Sequence, residues 1–578
     1  MLRLAQLQVL YQDVYGKKSE ENSIRTVTRE PIRGYIFDRL GKLVVDNRPS
    51  YTVTITPAEF DIRTIDYLGN ILSVDQNYIA DRLKKGKAYN RFTPARIKRD
   101  IDFRTLSIIE ENRDQLPGVD YQIESKRYYP AGAKAPHLFG YTKEISERQL
   151  ADLSQDYRSG DMIGASGIEA AYESYLRGTK GYEFITVNAK GQLLGPFNDG
   201  KNNMTAQEGN DLTLTLDADL QAFAESLLTD KHGAIVALDP TDGGILAMVS
   251  KPDFDPMLLS GETPPEVWAG LIGDPNKPLF NRATLTRYPP GSTFKMVLAA
   301  AALEENIITT GWRVECNGAF RLGNKVFTDL HVHGSTTIVE AIQKSCNVFF
   351  YTLMLKTGLE RWNHYGKEFG FGSPTRMDIY EENPGLLPSE EYYDRVYGKG
   401  RWTQGYLVNL GIGQGELGVS PIQMACYVSA LANRGHYYQP HVVAEVRHKR
   451  PGIKERMSYS VRTIELKNSV WDILQEGMFR VVNTPGGTGG AARVPEIAVA
   501  GKTGTAENPH GEGHAWFIGY APYENPKIAI CVMVENAGFG GAVSAPIAGL
   551  CIEKYLYREI VRTKRPAPVV TTPTVTDD

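Results

Sequence analysis

The sequence RYPPGSTFKMVLAAAAL contains a serine and a lysine whose spacing suits nucleophilic catalysis. Pro289 and Pro290 cannot continue a helix from upstream, so Ser292 is expected at a helix entrance and Lys295 one turn later on the same face. A hydroxyl becomes a nucleophile at neutral pH when a base lies nearby, and a lysine whose pKa is lowered by burial or by another cation supplies that base. The N–H groups at a helix entrance also stabilise a developing oxyanion. This stretch predicts acyl transfer through Ser292, although an N-cap serine followed by a surface lysine has the same pattern.

A second stretch, QKSCNVFFY, supplies Ser345 and Asn347 two residues apart. On a loop, two such side chains can point the same way. Ser345 could then pass a proton between Lys295 and a leaving amine, while Asn347 hydrogen-bonds a substrate amide. By itself this pair is more typical of an N-cap serine beside another polar residue.

A third stretch, VAGKTGTAE, has strand-forming residues before a Lys-Thr-Gly-Thr run. In an edge strand, Gly504 would let a substrate backbone pair closely with the strand. Lys502 and Thr503 would face a carboxylate, and the N–H of Thr505 could complete an oxyanion hole with the N–H of Ser292. Alone this run is weak evidence, so the prediction of catalysis rests on the three stretches together.

In the order Ser-x-x-Lys, Ser-x-Asn and Lys-Thr-Gly, the three stretches match the signature set of penicillin-binding proteins and class A β-lactamases. The chain therefore resembles the active-site-serine penicillin-recognising enzymes. Upstream segments narrow the resemblance to the class B penicillin-binding proteins; they are REPIRGYIFDRLGKLVVDNRPSY, RYYPAGAKAPHLFGY and GASGIEAAYESYLRGTKG, with GIGQGELGVSPIQMACYVSALANRG further on. Leu40 stands where that class usually has Asn, and Gly41 still makes the turn. Within the class the chain is most similar to the elongation-type transpeptidases, with the division-type enzymes as the alternative.

The resemblance implies a D,D-transpeptidase that cross-links peptidoglycan stem peptides during cell-wall elongation. Ser292 would attack the D-Ala–D-Ala carbonyl of a donor stem peptide and release D-Ala, and an amine of a neighbouring stem peptide would resolve the acyl-enzyme. The resemblance implies that Lys295 is the base of acylation and that Ser345 relays protons. It also implies that Lys502 sets the local electrostatic field, and that Thr503 and Thr505 bind the terminal carboxylate. β-Lactams would acylate the same serine because they mimic the D-Ala–D-Ala end. This chemistry requires no cofactor, and a carboxypeptidase side activity is compatible with it.

The pattern of strands and helices predicts an α+β fold in which strands distant in sequence share one antiparallel sheet. DLTLTLDADLQAFAESLLTD begins with a strand, and GAIVALDPTDGGILAMVSKP has the pattern of a hairpin. The region around 285–440 is helix-rich and includes IVEAIQKSCNVFFYTLMLKTG as a helix, and strands return in VAGKTGTAE, HAWFIGYAP and KIAICVMVEN. Upstream, GKLVVDNRPSYTVTITP predicts two strands joined at Asn-Arg-Pro.

These patterns, together with the resemblance, predict two main domains. One is a transpeptidase domain with an antiparallel sheet flanked by helices and a helical lobe, and the other is an elongated N-terminal α+β pedestal that resembles a dimerisation domain. The expected segments are the end of a membrane anchor or a juxtamembrane segment at 1–22, the pedestal at 23–210, the transpeptidase domain at 211–562 and a disordered tail at 563–578.

Composition excludes other classes of protein. The chain has 578 residues with 64 basic and 68 acidic side chains, a net charge of −4 that gives no reason to expect a nucleic-acid partner. Its five cysteines are too sparse, and odd in number, for a disulfide framework. No apolar run reaches the roughly 18 residues of a membrane span, and MLRLAQLQVLYQDVYGKKSEEN is either an amphipathic helix or the outer end of a membrane anchor. The resemblance implies a single-pass protein of the inner membrane with a periplasmic catalytic domain.

A cluster of metal-binding residue types precedes and overlaps the second stretch. VECNGAFRLGNKVFTDLHVHG offers Cys316, Asp329, His331 and His333, and Cys346 lies inside the Ser-x-Asn run. Four of these, without His331, would make a zinc set with N, O and S donors. The resemblance supports that set, because some elongation-type relatives carry a structural zinc held by Asp, Asp, His and Cys, with Cys316 here in place of the first Asp. The alternative is that the cysteines are small buried residues and the histidine lies in a turn.

Two other functions are compatible with the same fold. A β-lactamase or carboxypeptidase would use water in place of the acceptor amine, and a β-lactam sensor or inactive scaffold would only bind partners. The chain retains all three motifs, which favours the transpeptidase. The partners implied by the resemblance are peptidoglycan stem peptides, β-lactams, a membrane glycosyltransferase of the elongation machinery and rod-shape scaffold proteins, with the N-terminal region as their docking surface.

Overall fold

The structure is a computed structural model that describes residues 24–562, apart from residues 131, 154–156, 189–192, 262, 380, 451 and 510. The predicted anchor end at 1–22 and the predicted tail at 563–578 lie outside the described residues. In the part of the chain that is described, no helix combines the length and the apolar character needed to cross a membrane.

The strands occur along the whole described chain. In order they are β1 (Ile24–Arg29), β2 (Ile36–Phe37), β3 (Leu43–Ile55), β4 (Ala95–Ile101), β5 (Val119–Tyr128), β6 (Thr142–Glu144), β7 (Met162–Gly164), β8 (Gly181–Val187), β9 (Leu193–Pro196), β10 (Asp211–Leu214), β11 (Gly233–Leu238), β12 (Ile245–Lys251), β13 (Val314–Cys316), β14 (Ala319–Leu322), β15 (Lys325–Thr328), β16 (Gly334–Thr336), β17 (His436–Tyr438), β18 (Val443–Arg447), β19 (Lys454–Arg456), β20 (Val461–Thr463), β21 (Ala500–Ala506), β22 (His514–Ala521) and β23 (Ile528–Val534).

The longer helices concentrate in the middle of the chain. In order the α-helices are α1 (Ile65–Leu72), α2 (Gln76–Tyr89), α3 (Phe103–Glu111), α4 (Pro136–Phe139), α5 (Glu147–Leu153), α6 (Gly167–Ala171), α7 (Glu173–Leu176), α8 (Ala218–Leu227), α9 (Pro265–Gly273), α10 (Lys295–Glu304), α11 (Ile338–Gln343), α12 (Asn347–Thr357), α13 (Leu359–Glu368), α14 (Glu390–Tyr397), α15 (Gln404–Leu410), α16 (Pro421–Ala432), α17 (Asn468–Asn483) and α18 (Ser544–Tyr557).

The catalytic part of the molecule is built on a five-stranded antiparallel sheet in the order β12-β11-β23-β22-β21. The predicted hairpin of β11 and β12 is confirmed, and so is the prediction that early and late strands share one sheet. Strand β21, which carries the Lys-Thr-Gly run, lies at one edge of this sheet. An edge strand keeps unpaired N–H and C=O groups that another extended chain can use.

Helices cover this sheet and form a lobe beside it. Every residue of α16 is buried, and the helix packs on β11 and β23, while α18 packs on β22 and β23. Helix α10 is buried from Lys295 to Leu303 and packs against α12, α13 and α17. A helix that is apolar all around, as KMVLAAAALE is except at its ends, is stable only inside a protein. The one buried charge at its start is therefore a feature of the site.

The N-terminal region has its own sheet and core. Strand β3 pairs with β5 along most of its length, and a core of aliphatic side chains lies between this sheet and helices α1 to α3. The prediction of two strands joined at Asn-Arg-Pro is wrong, because β3 is continuous across Pro49. Near Pro49 the strand pairs with β5 on one side only, since its contacts with β2 end at Val45 and those with β4 begin at Tyr51. A proline is tolerated in a strand where no partner needs its missing N–H.

One cluster of polar contacts orders the N-terminal region, and a second joins this region to the catalytic part. Glu169 of α6 is fully buried and accepts from Arg33 at 2.6 Å, which fixes α6 against the segment that leads into β2. Tyr172, just after α6, donates to Asp378 Oδ2 at 2.8 Å, and Tyr459 donates to the same oxygen at 3.1 Å. The contacts of Tyr172 thus join the N-terminal region to the catalytic domain through polar groups.

Candidate active site

The predicted nucleophile lies in a 3-10 turn, Gly291–Phe294, that leads directly into α10. Ser292 is partly buried, and Thr293 closes the turn by donating to the carbonyl oxygen of Pro290 at 2.7 Å. Gly291 has φ +58°, and a Cβ at this position would lie 2.5 Å from the carbonyl oxygen of Thr505. Only glycine fits there, so the nucleophile turn and strand β21 are in direct backbone contact.

Lys295 is fully buried at the start of α10. Its Nζ donates to the carbonyl oxygen of Ser345 at 2.8 Å and to Asn347 Oδ1 at 2.7 Å, and lies 3.4 Å from Ser345 Oγ. Among the described residues its hydrogen bonds go to the second motif rather than to Ser292, an arrangement common in unliganded sites, where catalytic contacts tighten on binding. Burial lowers the pKa of Lys295 to about 8, and the attraction of Asp329 offsets part of that effect. About a tenth of the lysine is therefore neutral at pH 7.

The second motif lies in a break between two helices. The sequence predicts a continuous helix here, which is wrong: α11 ends at Gln343, Ser345 has φ +59°, and Cys346 is the N-cap of α12 with Asn347 as its first residue. A left-handed serine is strained and persists only where its surroundings hold it. Because of this break, Ser345 Oγ lies beside the side-chain nitrogens of Lys295 and Lys502.

The third motif lies on edge strand β21, as predicted. Lys502 is fully buried, and its Nζ donates to Ser345 Oγ at 2.9 Å and to the carbonyl oxygen of Thr503 at 3.0 Å. Burial and the neighbouring Lys295 hold the pKa of Lys502 well below its usual range. A Cβ on Gly504 would lie 2.7 Å from the carbonyl oxygen of Pro290, which gives this glycine a packing role against the nucleophile turn.

The structure therefore brings the predicted residues of all three motifs into one cleft. Ser345 Oγ contacts both lysine nitrogens, and the Gly291–Thr505 contact joins the nucleophile turn to the strand. A hydroxyl between two amines can accept a proton from one side and deliver it to the other. The catalytic roles of the individual residues remain predictions from the sequence.

Two further residues of the cleft were not predicted. Thr488, in a glycine-rich loop after α17, has its hydroxyl oxygen 2.6 Å from that of Thr503. Gln414 donates through Nε2 to the carbonyl oxygen of Thr505 at 3.2 Å, and the neighbouring Gly413 accepts from the N–H of Gly291 at 2.9 Å. The Gly-Gln-Gly pattern in GIGQGELG was a usable signal for the glutamine, whereas a threonine in a glycine-rich loop has no distinctive pattern.

The four predicted metal ligands lie together beside the second motif. Their ligand atoms are all within 4.8 Å of one another; the residues are Cys316, Asp329, His333 and Cys346. Cys316 Sγ is 3.5 Å from His333 Nδ1 and 3.6 Å from Asp329 Oδ2, and the last two atoms are 3.6 Å apart. His331 contributes only a carbonyl oxygen, 3.7 Å from Cys316 Sγ. Tetrahedral zinc with bonds of about 2.0–2.3 Å spaces its ligand atoms by about 3.3–3.8 Å, so the donor set fits zinc in type and spacing.

Asp329 links this cluster to the second motif. Its Oδ2 accepts from the backbone N–H groups of Asn347 at 2.6 Å and Val348 at 3.0 Å, at the start of α12. Burial opposes ionisation of this carboxyl, but the hydrogen bonds and the positive charge of Lys295 hold its pKa below the usual value. The carboxylate therefore fixes the orientation of the helix that presents Asn347.

Two family models match the chain. A model of the penicillin binding protein transpeptidase domain matches residues 233–553, and a model of the penicillin-binding protein dimerisation domain matches residues 28–214.

Whole-chain comparisons agree with the family models. The chain is 33% identical over 589 residues to the peptidoglycan D,D-transpeptidase MrdA of Haemophilus influenzae, a match that covers 97% of this chain and 89% of that protein. It is similar in structure to penicillin-binding protein PBP2 of Helicobacter pylori in complex with MreC, with a TM-score of 0.80, 27% identity and coverage of 93% and 99% of the two chains. It is also similar to PBP2 of Pseudomonas aeruginosa in complex with WCK 5153, with a TM-score of 0.70, 30% identity and coverage of 92% and 97%.

Proposed function

The chain belongs to the penicillin-binding protein family, with a transpeptidase and a dimerisation domain in one polypeptide, and on that premise we propose how its own residues carry out the reaction. The protein is a peptidoglycan D,D-transpeptidase that works through an acyl-serine intermediate and binds penicillin. The observation that carries the mechanism is the contact of one hydroxyl, that of Ser345, with the side-chain nitrogens of both Lys295 and Lys502.

Acylation begins when Ser292 Oγ bonds to the carbonyl carbon of the penultimate D-Ala and its proton passes to the neutral amine of Lys295. The carbonyl oxygen becomes an oxyanion that accepts hydrogen bonds from the N–H groups of Ser292 and Thr505. The adduct then collapses, the amide bond breaks, and the leaving D-Ala nitrogen takes a proton from Lys295 through Ser345. The backbone contact of Gly291 with Thr505 supports this pairing of donors, because it places the two N–H groups on adjoining segments.

Resolution of the acyl-enzyme reverses the proton path. The amine of a second stem peptide attacks the ester carbonyl of Ser292 and gives up a proton through Ser345 to Lys295. When the ester bond breaks, Lys295 returns that proton to Ser292 Oγ, and a new amide bond joins the two stem peptides. Lys502 donates to Ser345 Oγ at 2.9 Å and keeps the relay hydroxyl in place for both transfers.

Substrate orientation comes from strand β21. The terminal carboxylate of the donor peptide is held by the hydroxyl groups of Thr503 and Thr505, in the field of Lys502. The hydroxyl oxygens of Thr488 and Thr503 are 2.6 Å apart. We propose that Thr488 is the donor when substrate is bound, which leaves the proton of Thr503 for the carboxylate. The open edge of β21 accepts the peptide backbone as a further strand.

We propose a structural zinc held by the four clustered ligands, Cys316, Asp329, His333 and Cys346. The donor types and the spacing of 3.5–3.6 Å among three of the ligand atoms support it. When bound, zinc supplies a rigid crosslink rather than a step of the reaction. Cys346 follows Ser345 directly, so fixing its sulfur would hold the strained turn that presents the relay hydroxyl.

We further propose a role in cell-wall elongation at the inner membrane, with a single membrane anchor and a periplasmic catalytic domain. The identity to MrdA over almost the whole chain supports the elongation type over the division type. The Helicobacter pylori complex with MreC supports a rod-shape scaffold protein as a partner. The N-terminal region is the docking surface that we propose for it. A membrane glycosyltransferase of the same machinery is the second proposed partner.

Reconstituted cross-linking tests the proposed reaction. Donor strands with pentapeptide stems are mixed with the protein, and products are separated by liquid chromatography and identified by mass. A transpeptidase gives cross-linked dimers with release of one D-Ala per bond, and Ser292→Ala gives neither. Shortened monomers without dimers would show that water is the natural acceptor and would replace the proposal with a carboxypeptidase.

A further inference from the structure

Two aromatic rings, those of Tyr288 and His514, form a second contact between the nucleophile segment and the five-stranded sheet. Tyr288 lies four residues before Ser292 in the sequence. His514 is the first residue of β22 and pairs with Ala506 of β21. The centroids of the two rings are 4.4 Å apart, with 41° between their planes. The pair thus joins the segment that carries the nucleophile to the strand that carries the Lys-Thr-Gly run.

The histidine is fixed by a backbone hydrogen bond. Asn536 donates its N–H to His514 Nδ1 at 3.1 Å, so the neutral ring carries its proton on Nε2. Asn536 has φ +51°, a left-handed conformation that a non-glycine residue keeps only when its contacts hold it. His514 is only 7% exposed, and burial holds its pKa below the usual value. The geometry therefore depends on an uncharged ring that acts as an acceptor.

The tyrosine is fixed on its other side. Its hydroxyl donates to Glu535 Oε1 at 3.3 Å, and Arg282 Nε donates to the same oxygen at 3.1 Å. The backbone of Tyr288 also pairs with Val419 as an isolated antiparallel bridge. Because Glu535 and Asn536 are adjacent in sequence, one short segment after β23 holds both rings.

We propose that His514 is a positioning residue for acylation, which packs against the ring of Tyr288 and holds the Ser292 turn against β21. This inference rests on the proposed transpeptidase reaction and adds a residue that none of the three motifs contains. An oxyanion hole built from two segments works only while the segments keep their spacing to a fraction of an ångström. The ring pair holds that spacing through its contacts with Asn536 and Glu535, so His514 acts through Tyr288.

The proposal predicts an effect of acid that is separate from the titration of Lys295. Protonation of His514 places an N–H at Nδ1, opposite the Asn536 N–H, and breaks the hydrogen bond. The titratable and charged groups around the ring are Tyr288 and Glu535, with Arg282 behind the glutamate. Glu535 favours the protonated ring and burial opposes it, so the break is expected at a pH below the usual range of histidine.

The test measures acylation of the full chain by a fluorescent penicillin in a stopped-flow instrument, which separates the acylation rate constant from the affinity of the first complex. His514→Ala is expected to lower the rate constant by about 10- to 100-fold, with affinity changed less than about threefold. His514→Asn keeps an acceptor at the position of Nδ1 and is expected to recover about half of that loss on a logarithmic scale. His436→Gln, at an exposed histidine of β17, is the matched control.

The pH profile gives a second readout that a purely structural role would not change. As the pH falls, the wild-type rate should first decline with a slope near one, because Lys295 takes up a proton, and should decline more steeply once His514 also takes up a proton, below the usual range of histidine. His514→Asn should keep a slope near one throughout. The proposal is overturned if His514→Ala acylates at the wild-type rate, if its whole defect is in affinity, or if His514→Asn has the wild-type slope. If His514→Ala does not fold, the pH profiles of His514→Asn and of the wild type test the proposal without it. Absence of acylation in the wild type would instead refute the proposed transpeptidase.

Discussion

The Nζ atom of Lys502 lies 2.9 Å from the hydroxyl oxygen of Ser345. Lys295 approaches the same oxygen from the other side, at 3.4 Å, and both lysines are fully buried. Burial lowers the pKa of both lysines, and the positive charge of Lys295 lowers the pKa of Lys502 further. The arrangement explains how a lysine serves as a base at neutral pH without a histidine.

The pH dependence of acylation follows from the state of Lys295. The lysine is active when neutral, and its pKa is lowered to about 8, so the rate should rise as the pH rises and level off above about pH 8. The rate should change about tenfold per pH unit below about pH 7 and about fivefold between pH 7 and 8. Acylation by a chromogenic β-lactam over pH 5.5 to 9.5 measures this; a rate that falls through this range would assign the base to another group.

Replacement of Gly291 tests the contact between the nucleophile turn and β21. Gly291→Ala puts a Cβ 2.5 Å from the carbonyl oxygen of Thr505 at φ +58°, so the two segments must separate. We expect acylation to slow by at least about 100-fold. Gly311→Ala is the control, because a Cβ there has no heavy atom within 4 Å. Equal acylation rates of the two variants would show that the close approach is not needed.

The Thr488 hydroxyl is predicted to act through Thr503. Thr488→Val removes the hydroxyl oxygen 2.6 Å from Thr503 Oγ1, and without this hydrogen bond the Thr503 hydroxyl is free to turn away from the carboxylate. The affinity of the first complex with a penicillin should fall about tenfold, which corresponds to the loss of about one hydrogen bond. Thr488→Ser keeps the donor and should behave like the wild type. A serine variant as weak as the valine variant would contradict the role of the hydroxyl.

The sequence predicted the motif residues of the site better than the local structure and the neighbouring residues that hold them. Ser292, Lys295 and Lys502 were found because their motifs are short and local, and the sheet was found because its strands are strongly apolar. The break at Ser345 was missed because the apolar pattern continues through it, although Ser, Cys and Asn are weak helix formers and their N-cap pattern was a usable signal. The left-handed conformation of Ser345 depends on tertiary contacts with Lys295 and Lys502. Thr488 and His514 were also out of reach, because each acts through a residue distant in sequence.

The predicted strand pair around Pro49 shows a second limit. A proline between two alternating segments usually marks a turn, but here it lies where β3 has a partner on one side only. The missing partner on one side of β3 depends on how the strands assemble, and the sequence near Pro49 does not encode it. Local patterns therefore identified the motif residues that lie together in the cleft, and tertiary contacts decided the elements that hold them.

The proposed zinc site predicts one bound metal ion per chain. Metal analysis of protein purified without chelator should give about one zinc, and Cys346→Ser should lower the content sharply. Because the site crosslinks the start of α12, the same variant should lower the melting temperature by about 5 °C or more. Cys551→Ala, at a buried cysteine of α18, is the control that should keep its zinc. Metal-free wild-type protein that melts like the zinc-treated sample would contradict the site.

The central claim is that Ser292 is the acylated residue in a cleft built from all three motifs. It is tested most directly by treating the protein with benzylpenicillin, digesting it and locating the adduct by mass spectrometry. The account predicts one penicilloyl group per chain, on the hydroxyl of Ser292, and no adduct in Ser292→Ala. An adduct on any other residue, or labelling that persists in the alanine variant, would contradict it.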